Sequence, residues 1–507
     1  LGLDDVLDLL ASLRIEPVLV AHPTESARRT QLRRNERMAG VLLDRLNPKL
    51  DPYEQRQLWA RMRMELTAGW QTEEHPRQRL TVADEREHAI FHFAEVLYRI
   101  VPAFYEEVAT ALEKLFGACA SDLAPPTILR FGTWVGGDME GTPDVHAKTI
   151  RETLLRQQQV IVNAYFNECQ ELAQLLSQSA SRVAITPALA RRIDEYMVLL
   201  PGAQTIAPAR HDRMPYRVFF GQVSERLRHT YEGRPSRYEN PVQFLADLEL
   251  VSESLLAHRG AHAGYQLVRR LAMRARTFGF HLATLDLRQH AEVHHQVLAQ
   301  GLDDPHWVDR QPAERFRVLE QMLERDVGPR GVFDALGKRT LAVFDAALQG
   351  RNRYGNDAIG HYVVSGAMGP DDVLAPLVLA RWTGAYDRRT GQVGLDVAPM
   401  VESVEALANS GTVMREVLAS AAYRRHLEAR DHRQCVVIGY THGSRESGFL
   451  AARLAAHDAQ RALSAELTSA GAKPVLFHGR GGSLARGGTR IDGLVSGAPP
   501  ECVNGVL

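Results

Sequence analysis

Seven short apolar runs recur along this chain, and each is followed by polar or glycine-rich residues and then by a helical pattern. Such alternation is typical of a parallel sheet with helices on its faces and functional groups at the carboxyl ends of its strands. An open doubly wound sheet is the competing architecture, but no G-x-G-x-x-G pattern follows the first run. We therefore favour an α/β fold of the (β/α)8-barrel type. The runs lie at 18–21, 128–135, 282–288, 362–367, 394–402, 435–440 and 474–477.

Long helical patterns surround these runs and predict a helix-rich chain. We interpret residues 1–507 as a single barrel domain with a helical excursion at about 27–125 and a helical insertion at about 147–280. The stretch 201–240 carries scattered Pro, Gly and Arg, and is predicted to be an irregular or mobile excursion. Helical periodicity covers 3–13, 27–46, 52–70, 83–116, 147–176, 187–199, 241–275, 404–426 and 448–470.

Both ends of the chain are abrupt. Residue 1 is Leu rather than Met, and residues 504–507 resemble a turn that leads into an unfinished apolar strand. A closed barrel needs an eighth strand, and 506–507 is where that strand would begin. We therefore expect a fragment truncated at both ends, in which the eighth strand is missing.

Composition excludes several classes of protein. A net charge of −1 argues against bulk attraction to nucleic acid or to an anionic membrane. No apolar run approaches the ~20 residues that a membrane span needs, and no signal peptide is recognisable. The four cysteines are far apart and form no CxxC pair, which suits a reducing cytoplasm and gives no case for a disulfide framework or a zinc site.

The last apolar run leads into a glycine-rich stretch that predicts an anion site. Residues 477–488 read Phe-His-Gly-Arg-Gly-Gly-Ser-Leu-Ala-Arg-Gly-Gly. Glycines such as Gly481 and Gly482 let backbone N–H groups approach a ligand, and Arg480 and Arg486 offer forks of donors that suit carboxylate or phosphate oxygens. The alternative interpretation is a basic surface loop without a ligand.

The other strand ends add residues of complementary chemistry. In a barrel, His22, Asp138, Arg288, Glu402, His442 and His478 would face one mouth. Glu402 is a hard oxygen donor for Mg²⁺ or Mn²⁺, and the histidines can move protons. Each also has a structural alternative, since a histidine is more often structural or solvated than catalytic. Glu402 could be a helix cap or a salt-bridge partner, and Arg288 could pair with Asp286 or Glu292.

The motifs at these strand ends resemble those of the phosphoenolpyruvate carboxylase family. The glycine-rich stretch is similar to that family's active-site loop, and Val-Ala-His-Pro-Thr-Glu at 20–25 is similar to its "TAHPTE". Leu-Asp-Leu-Arg-Gln at 285–289 resembles "LDIRQ", and Pro-Met-Val-Glu at 399–402 resembles "PLFET". Similar matches lie at 134–143 ("W-x-GGDRDGNP") and 365–374, and all follow the family's order.

The resemblance implies an enzyme, a carbon–carbon lyase that joins phosphoenolpyruvate to bicarbonate and yields oxaloacetate and phosphate for the tricarboxylic acid cycle. It implies that His22 and His478 are catalytic and that Arg480 is both catalytic and anion-binding. It further implies that Arg288, Arg486, Gly481 and Gly482 bind substrate, and that Glu402 is one of two carboxylate ligands of Mg²⁺ or Mn²⁺. A cytoplasmic homo-oligomer, a tetramer when complete, is also implied.

The chain departs from the family pattern beside the metal site. Where the family has the aspartate and lysine of "GYSDS-x-K", this chain has His442 and Arg445. Imidazole is a poor ligand for Mg²⁺ but acceptable to Mn²⁺, so a preference for Mn²⁺ is expected if His442 is a ligand. Met139 replaces the arginine of "GGDRDGNP", Glu140 its second aspartate, and Thr142 its asparagine.

Two alternatives stay open at this point. The chain could be a diverged paralogue that binds phosphoenolpyruvate or a similar anion without turnover, as a binding or regulatory module. It could also be an enzyme of the same fold with different chemistry. The resemblance further implies a long helical C-terminal part, which would follow residue 507.

Overall fold

A computed structural model gives the architecture. The structure describes residues 2–20, 28–73, 80–117, 125–140, 142, 144–200, 213–325, 327–386, 392–479, 491–503 and 505–506. Within these residues, no helix combines the length and the apolar character needed to cross a bilayer.

Seven parallel strands form one sheet, and their order in the sheet is their order in the chain. This order confirms the seven predicted strands and excludes the doubly wound alternative, in which the order reverses at the first strand. The strands are β1 Val18–Leu19, β2 Gly132–Thr133, β3 Thr284–His290, β4 Ile359–Ser365, β5 Asp396–Val401, β6 Arg433–Gly439 and β7 Lys473–Gly479.

The sheet curls so that its two ends approach each other. Five strand spacings separate β2 from β7, which would be about 24 Å in a flat sheet. Instead, the ring of Trp134, just after β2, stacks on that of Phe477 in β7 with centroids 5.9 Å apart. Alternate residues of the strands fill the concave side with one small cluster, which includes Val363, Met400 and Val437.

Residues 505–506 pair with the segment that leads into β1. Arg14 N–H donates to Gly505 O at 2.8 Å, and Arg14 pairs in parallel with Val506. The next residue, Ile15, donates in the other direction to Ile128 O at 2.9 Å. Since consecutive residues of a strand direct their backbone groups to opposite edges, 505–506 lies on the edge of β1 that β2 does not occupy.

Helices make up most of the rest of the described chain. The described helices are α1 Leu3–Ser12, α2 Arg29–Asp44, α3 Pro52–Trp70, α4 Val82–Phe91, α5 Tyr98–Phe116, α6 Ala147–Leu175, α7 Pro187–Leu199, α8 Pro215–Glu232, α9 Pro241–Ala257, α10 Gln266–Phe278, α11 Ala291–Leu302, α12 Pro312–Arg325, α13 Ala335–Tyr354, α14 Pro370–Trp382, α15 Val404–Ala419, α16 Ala421–Glu428, α17 Thr441–Ser447, α18 Phe449–Ser469 and α19 Ile491–Ser496.

Two large hydrophobic cores hold these elements together, and α6 belongs to both. Its first turns place Ile150 and Leu154 in the core that covers the outer face of β3 to β6. Its later turns place Ile161 and Tyr165 in a second core made by the helices around α8, α9 and α10. The 29-residue helix therefore fixes the helical layer against the sheet.

The expectation of an irregular excursion at 201–240 is wrong for much of that stretch. Residues 201–212 lie outside the described residues, but 215–232 is helix α8, with buried Phe219 and Phe220. Its Pro is at the first turn, where no N–H partner is needed, and Gly233 ends the helix with φ 73°. The Pro and Gly that suggested a loop are therefore helix boundaries.

The predicted helix at 241–275 is interrupted. The chain turns between α9 and α10, where Gly264 has φ 108°. A Cβ on Gly264 would lie 2.2 Å from Leu176 Cδ2, so both the conformation and the packing require glycine.

Candidate active site

Five of the predicted site residues lie outside the described residues. These are His22, Arg480, Gly481, Gly482 and Arg486. The other five lie in the last three residues of β3 or β7, or up to five residues after β2, β5 or β6; they are Asp138, Arg288, Glu402, His442 and His478. The described part of the mouth is therefore built from the carboxyl ends of five strands.

Arg288 is held firmly near the end of β3. Its Nε and Nη2 donate to the two carboxylate oxygens of Asp138 at 2.8 and 2.7 Å, and its Nη1 lies 2.9 Å from Glu140 Oε2. The guanidinium also covers the ring of Trp134, with Cζ 4.9 Å from the centroid. Arg288 thus pairs with the loop after β2, and not with Asp286 or Glu292. This fork-to-fork geometry fixes the direction in which the guanidinium points.

The loop after β2 sits against β3 because Gly137 has no side chain. A Cβ there would lie 2.1 Å from Asp286 O. Arg288 N–H donates to Gly137 O at 3.0 Å, and Met139 N–H donates to Arg288 O at 2.9 Å. Met139, which replaces the family arginine, packs against the core on the outer side of the sheet. Close approach of the backbones therefore requires glycine at position 137, the second glycine of the "GGD" motif.

Asp286 supports this arrangement from within the sheet. Trp134 Nε1 donates to its Oδ2 at 3.0 Å, and His361 N–H donates to its Oδ1 at 2.8 Å. Burial raises the pKa of Asp286 to about 6. The sequence motifs did not identify this Trp134–Asp286 contact, which positions the ring on which Arg288 rests.

Glu402 directly follows β5, and Ser403 caps the next helix by accepting from Ala406 N–H at 3.0 Å. Burial raises the pKa of Glu402, and the nearby charge of Glu140 adds to the rise, while Arg288 and other neighbours oppose it. Across from Glu402 is Gly439 of β6, where a Cβ would lie 2.8 Å from Glu402 Cγ. Glu402 is therefore not the helix cap, and its carboxylate accepts a hydrogen bond from the backbone of Gly366.

His442 lies in the first turn of α17. Its side chain is 62% exposed, and Nε2 lies 3.1 Å from Glu446 Oε1, one helical turn further along. The backbone beside it is fixed, since Gly443 N–H donates to Glu402 O at 3.0 Å. The imidazole therefore contacts a carboxylate on the helix surface, and its charge when protonated would oppose the burial that raises the pKa of Glu402.

His478 is oriented by a residue that the sequence analysis did not single out. Its Nδ1 lies 3.0 Å from the hydroxyl oxygen of Tyr440, and the two rings stack with centroids 6.2 Å apart. Ile438 of β6 pairs with Val401 of β5 on one side and with His478 of β7 on the other, so β6 separates His478 from the strand that precedes Glu402. Tyr440 directly follows β6, and that position was the available signal.

A separate buried group, His295 with Asp371 and Asp372, also brings metal-binding side chains together. However, Trp307 Nε1 donates to His295 Nδ1 at 3.1 Å, so Nε2 carries the ring proton and directs it to Asp372 Oδ1 at 2.8 Å. Both ring nitrogens are thus engaged. We interpret this group as the polar support of the start of α14, where Gly369 N–H donates to Asp372 Oδ2 at 2.9 Å.

A sequence profile described as phosphoenolpyruvate carboxylase matches residues 2–507. The chain belongs to the phosphoenolpyruvate carboxylase family. It is 40% identical over 505 residues to "Phosphoenolpyruvate carboxylase" of Xanthomonas campestris pv. campestris (strain 8004), which covers 100% of this chain and 55% of that protein. It is 30% identical over 520 residues to the protein of the same name from Mycobacterium leprae (strain TN), covering 99% and 55%.

Membership of the phosphoenolpyruvate carboxylase family confirms the resemblance that the strand-end motifs indicated. The chain spans about half the length of the curated relatives it matches. The roles of individual residues stay predictions, and they are taken up below together with the reaction.

Proposed function

We propose that this protein carboxylates phosphoenolpyruvate with bicarbonate, yielding oxaloacetate and phosphate. The observation that carries the proposal is the mouth of the sheet, where a fixed guanidinium (Arg288) lies among carboxylates that include Glu402, in a chain of this family. A guanidinium directed by a bidentate ion pair is suited to hold an anionic substrate oxygen in one orientation.

The proposed reaction has two steps. A bicarbonate oxygen attacks phosphorus, the bond from phosphorus to the enol oxygen breaks, and carboxyphosphate and the enolate of pyruvate form. Carboxyphosphate then releases phosphate and CO₂, and C3 of the enolate bonds to CO₂. Arg288, Arg480 and Arg486 hold the anionic oxygens, and the backbone of Gly481 and Gly482 adds N–H donors.

His22 and His478 are the catalytic histidines of this proposal. The Tyr440 hydroxyl engages Nδ1 of His478 and so holds the ring in one orientation. His478 lies on β7, and β6 separates that strand from β5, after which Glu402 follows. We place the proton handling of bicarbonate at His478 because it matches the histidine of the family's glycine-rich motif.

The reaction also requires a divalent cation, Mg²⁺ or Mn²⁺, and the residues at the mouth fit one. Glu402 offers a carboxylate, and Glu140, whose Oε2 lies 2.9 Å from Arg288 Nη1, adds a second carboxylate to the mouth. Oxygen donors of this kind suit hard cations. When bound, the cation would supply charge stabilisation for substrate oxygens. By motif, His442 is the other candidate ligand, and it would favour Mn²⁺.

We extend the proposal to the architecture and the setting. The complete fold is a closed (β/α)8 barrel, with its eighth strand between β7 and β1, as the pairing of Val506 with Arg14 supports. The protein is a cytoplasmic homo-oligomer, a tetramer, whose product supplies the tricarboxylic acid cycle. The subunit number, the location and the metabolic role follow the family and not the described contacts.

A coupled assay tests the reaction. Purified protein is supplied with phosphoenolpyruvate, bicarbonate and either Mg²⁺ or Mn²⁺, and oxaloacetate is detected through malate dehydrogenase and NADH. We expect turnover that requires bicarbonate and a metal and that is lost in Glu402→Gln. Phosphoenolpyruvate binding without turnover under either metal would refute the proposal in favour of a binding module.

A further inference from the structure

We propose that a cavity beside the amino ends of β3 and β4 binds a phosphorylated ribose, either free or as part of a nucleotide. The cavity has a volume of about 530 Å³, which is within the range of small-molecule sites. This inference is independent of the proposed reaction, because it concerns a different part of the molecule. The lining residues that carry the argument are Gln158, Arg237, Glu239, Phe280, Arg353 and Tyr354.

The cavity lies at the opposite end of the strands from the mouth. Phe280 lies between the end of α10 and the start of β3, and Tyr354 ends α13 shortly before β4 begins. Both residues are buried, but they belong to the two different hydrophobic cores. Since parallel strands direct their amino ends to one edge and their carboxyl ends to the other, a ligand here would lie away from Arg288 and Glu402.

Two guanidinium groups of the lining have no acidic partner among the described residues. Arg237 follows the end of α8, and Arg353 is in the last turn of α13, with Cζ 5.3 Å from the ring centroid of Tyr354. Glu232 also lines the cavity, but its carboxylate is paired with Arg234 at 2.6 Å. Two arginines that line one cavity from separate elements suit the oxygens of a phosphate group.

The remaining polar groups of the lining suit hydroxyl groups. Gln158 of α6 is only 7% exposed, and within the described part of the chain its side-chain amide makes no hydrogen bond. A buried amide without a partner is costly, so a polar ligand gains by pairing with it. The Glu239 carboxylate has no cationic partner among the same residues, and carboxylates accept hydrogen bonds from ribose hydroxyls in dinucleotide sites.

Buried Tyr238 fixes the two charged residues on either side of it, Arg237 and Glu239. Tyr238 is 1% exposed, and its N–H donates to Thr230 Oγ1 at 2.9 Å, while its hydroxyl donates to Asp247 Oδ2 at 2.6 Å. The backbone that carries the guanidinium and the carboxylate is therefore held at the cavity before any ligand binds. Such preorganisation reduces the conformational entropy that is lost on binding.

Isothermal titration calorimetry of the whole chain with ribose 5-phosphate, AMP and inorganic phosphate tests the site. We expect ribose 5-phosphate to bind the wild type, and to bind Arg237→Met and Arg353→Met at least about tenfold more weakly, because each variant loses a charge-assisted hydrogen bond. The matched control is Arg425→Met in α16, an exposed arginine outside the cavity lining, which should bind as the wild type does.

Glu239→Gln tests the hydroxyl contact separately from the phosphate contact. The substitution removes a charge that repels phosphate and replaces a carboxylate with a weaker acceptor. Inorganic phosphate should therefore bind this variant at least as tightly as it binds the wild type, whereas ribose 5-phosphate should bind it more weakly. Weaker binding of both compounds, or tighter binding of both, would contradict the assignment of Glu239 to the ribose.

The two phosphate compounds identify the source of the ligand. Tighter binding of AMP than of ribose 5-phosphate assigns a nucleotide, and equal or weaker binding assigns the free sugar phosphate. No saturable binding of either compound, unaltered binding in Arg237→Met and Arg353→Met, or an equal loss in Arg425→Met would overturn the proposal. Loss of binding in Arg288→Met would also overturn it, because the ligand would then lie at the mouth. Carboxylation in the coupled assay is a separate measurement, so either proposal can fail without the other.

Discussion

Replacing Gly137 with alanine should separate the loop after β2 from β3 and disturb the site without touching a charged residue. The new Cβ would lie 2.1 Å from Asp286 O, a backbone atom that cannot rotate away. Overpacking typically costs about 1–3 kcal/mol, and the two backbone hydrogen bonds between Gly137, Met139 and Arg288 contribute about 1 kcal/mol each. We therefore expect local destabilisation of about 3–5 kcal/mol.

Hydrogen exchange followed by mass spectrometry measures this effect where it occurs. Because 1.4 kcal/mol is a factor of ten, amides of 284–290 that exchange by local opening should exchange at least about 100-fold faster in Gly137→Ala. The matched control is Gly40→Ala in α2, where no atom lies within 4 Å of the new Cβ, and where alanine should stabilise the helix by about 0.5–1 kcal/mol. Wild-type exchange at 284–290 in Gly137→Ala would refute the close-approach argument.

Three further predictions address the other described contacts. Tyr440→Phe removes the hydroxyl that lies 3.0 Å from His478 Nδ1. Loss of one hydrogen bond of about 1 kcal/mol should lower kcat roughly fivefold and shift the pH profile of kcat, with KM unaltered. An unchanged kcat and pH profile would contradict the positioning role. Arg315→Met leaves the buried Asp371 carboxylate without its guanidinium, and in a urea titration it should lower the free energy of unfolding by about 3–5 kcal/mol. The control is Arg415→Met at an exposed ion pair, which should have little effect in the same titration. Burial lowers the pKa of His294 to about 3, so the folded protein keeps this imidazole neutral while the unfolded chain protonates it below about 6.5. The free energy of unfolding should therefore decrease as the pH is lowered from about 6.5 to about 3, by up to about 1.4 kcal/mol per pH unit. His294→Phe should reduce that slope in pH-dependent unfolding.

The strands were predictable from the sequence because buried parallel strands are almost wholly apolar and end abruptly at polar residues. Most helix bounds followed from periodicity, and 187–199 agrees with α7 at both ends. Helix α8 was missed although its signal was present. Tyr216, Phe219, Val223 and Leu227 recur at helical spacing and are all buried, but the surrounding Pro, Gly and Arg were given more weight than this periodicity.

Family motifs identified the strand-end residues but not how they contact one another. The pairing of Arg288 with Asp138 joins residues 150 positions apart, and it depends on the conformation of the loop around Gly137. The stacking of Trp134 on Phe477 depends on the curl of the sheet. Neither is expressed in local spacing, so sequence patterns predict the members of the site and not its pairs.

Three departures from the family pattern, at Met139, Glu140 and His442, lie around the mouth but differ in what they change. Met139 packs on the outer side of the sheet, so no arginine at that position competes with Arg288 for carboxylates at the mouth. Glu140 keeps the negative charge of the family's aspartate and lies 2.9 Å from Arg288 Nη1, while His442 faces Glu446 on the helix surface. The ligand chemistry therefore changes at position 442, where an imidazole replaces a carboxylate. Because imidazole suits Mn²⁺ better than Mg²⁺, His442→Asp should move the metal preference in the coupled assay towards Mg²⁺, and an unaltered preference would show that His442 is not a ligand.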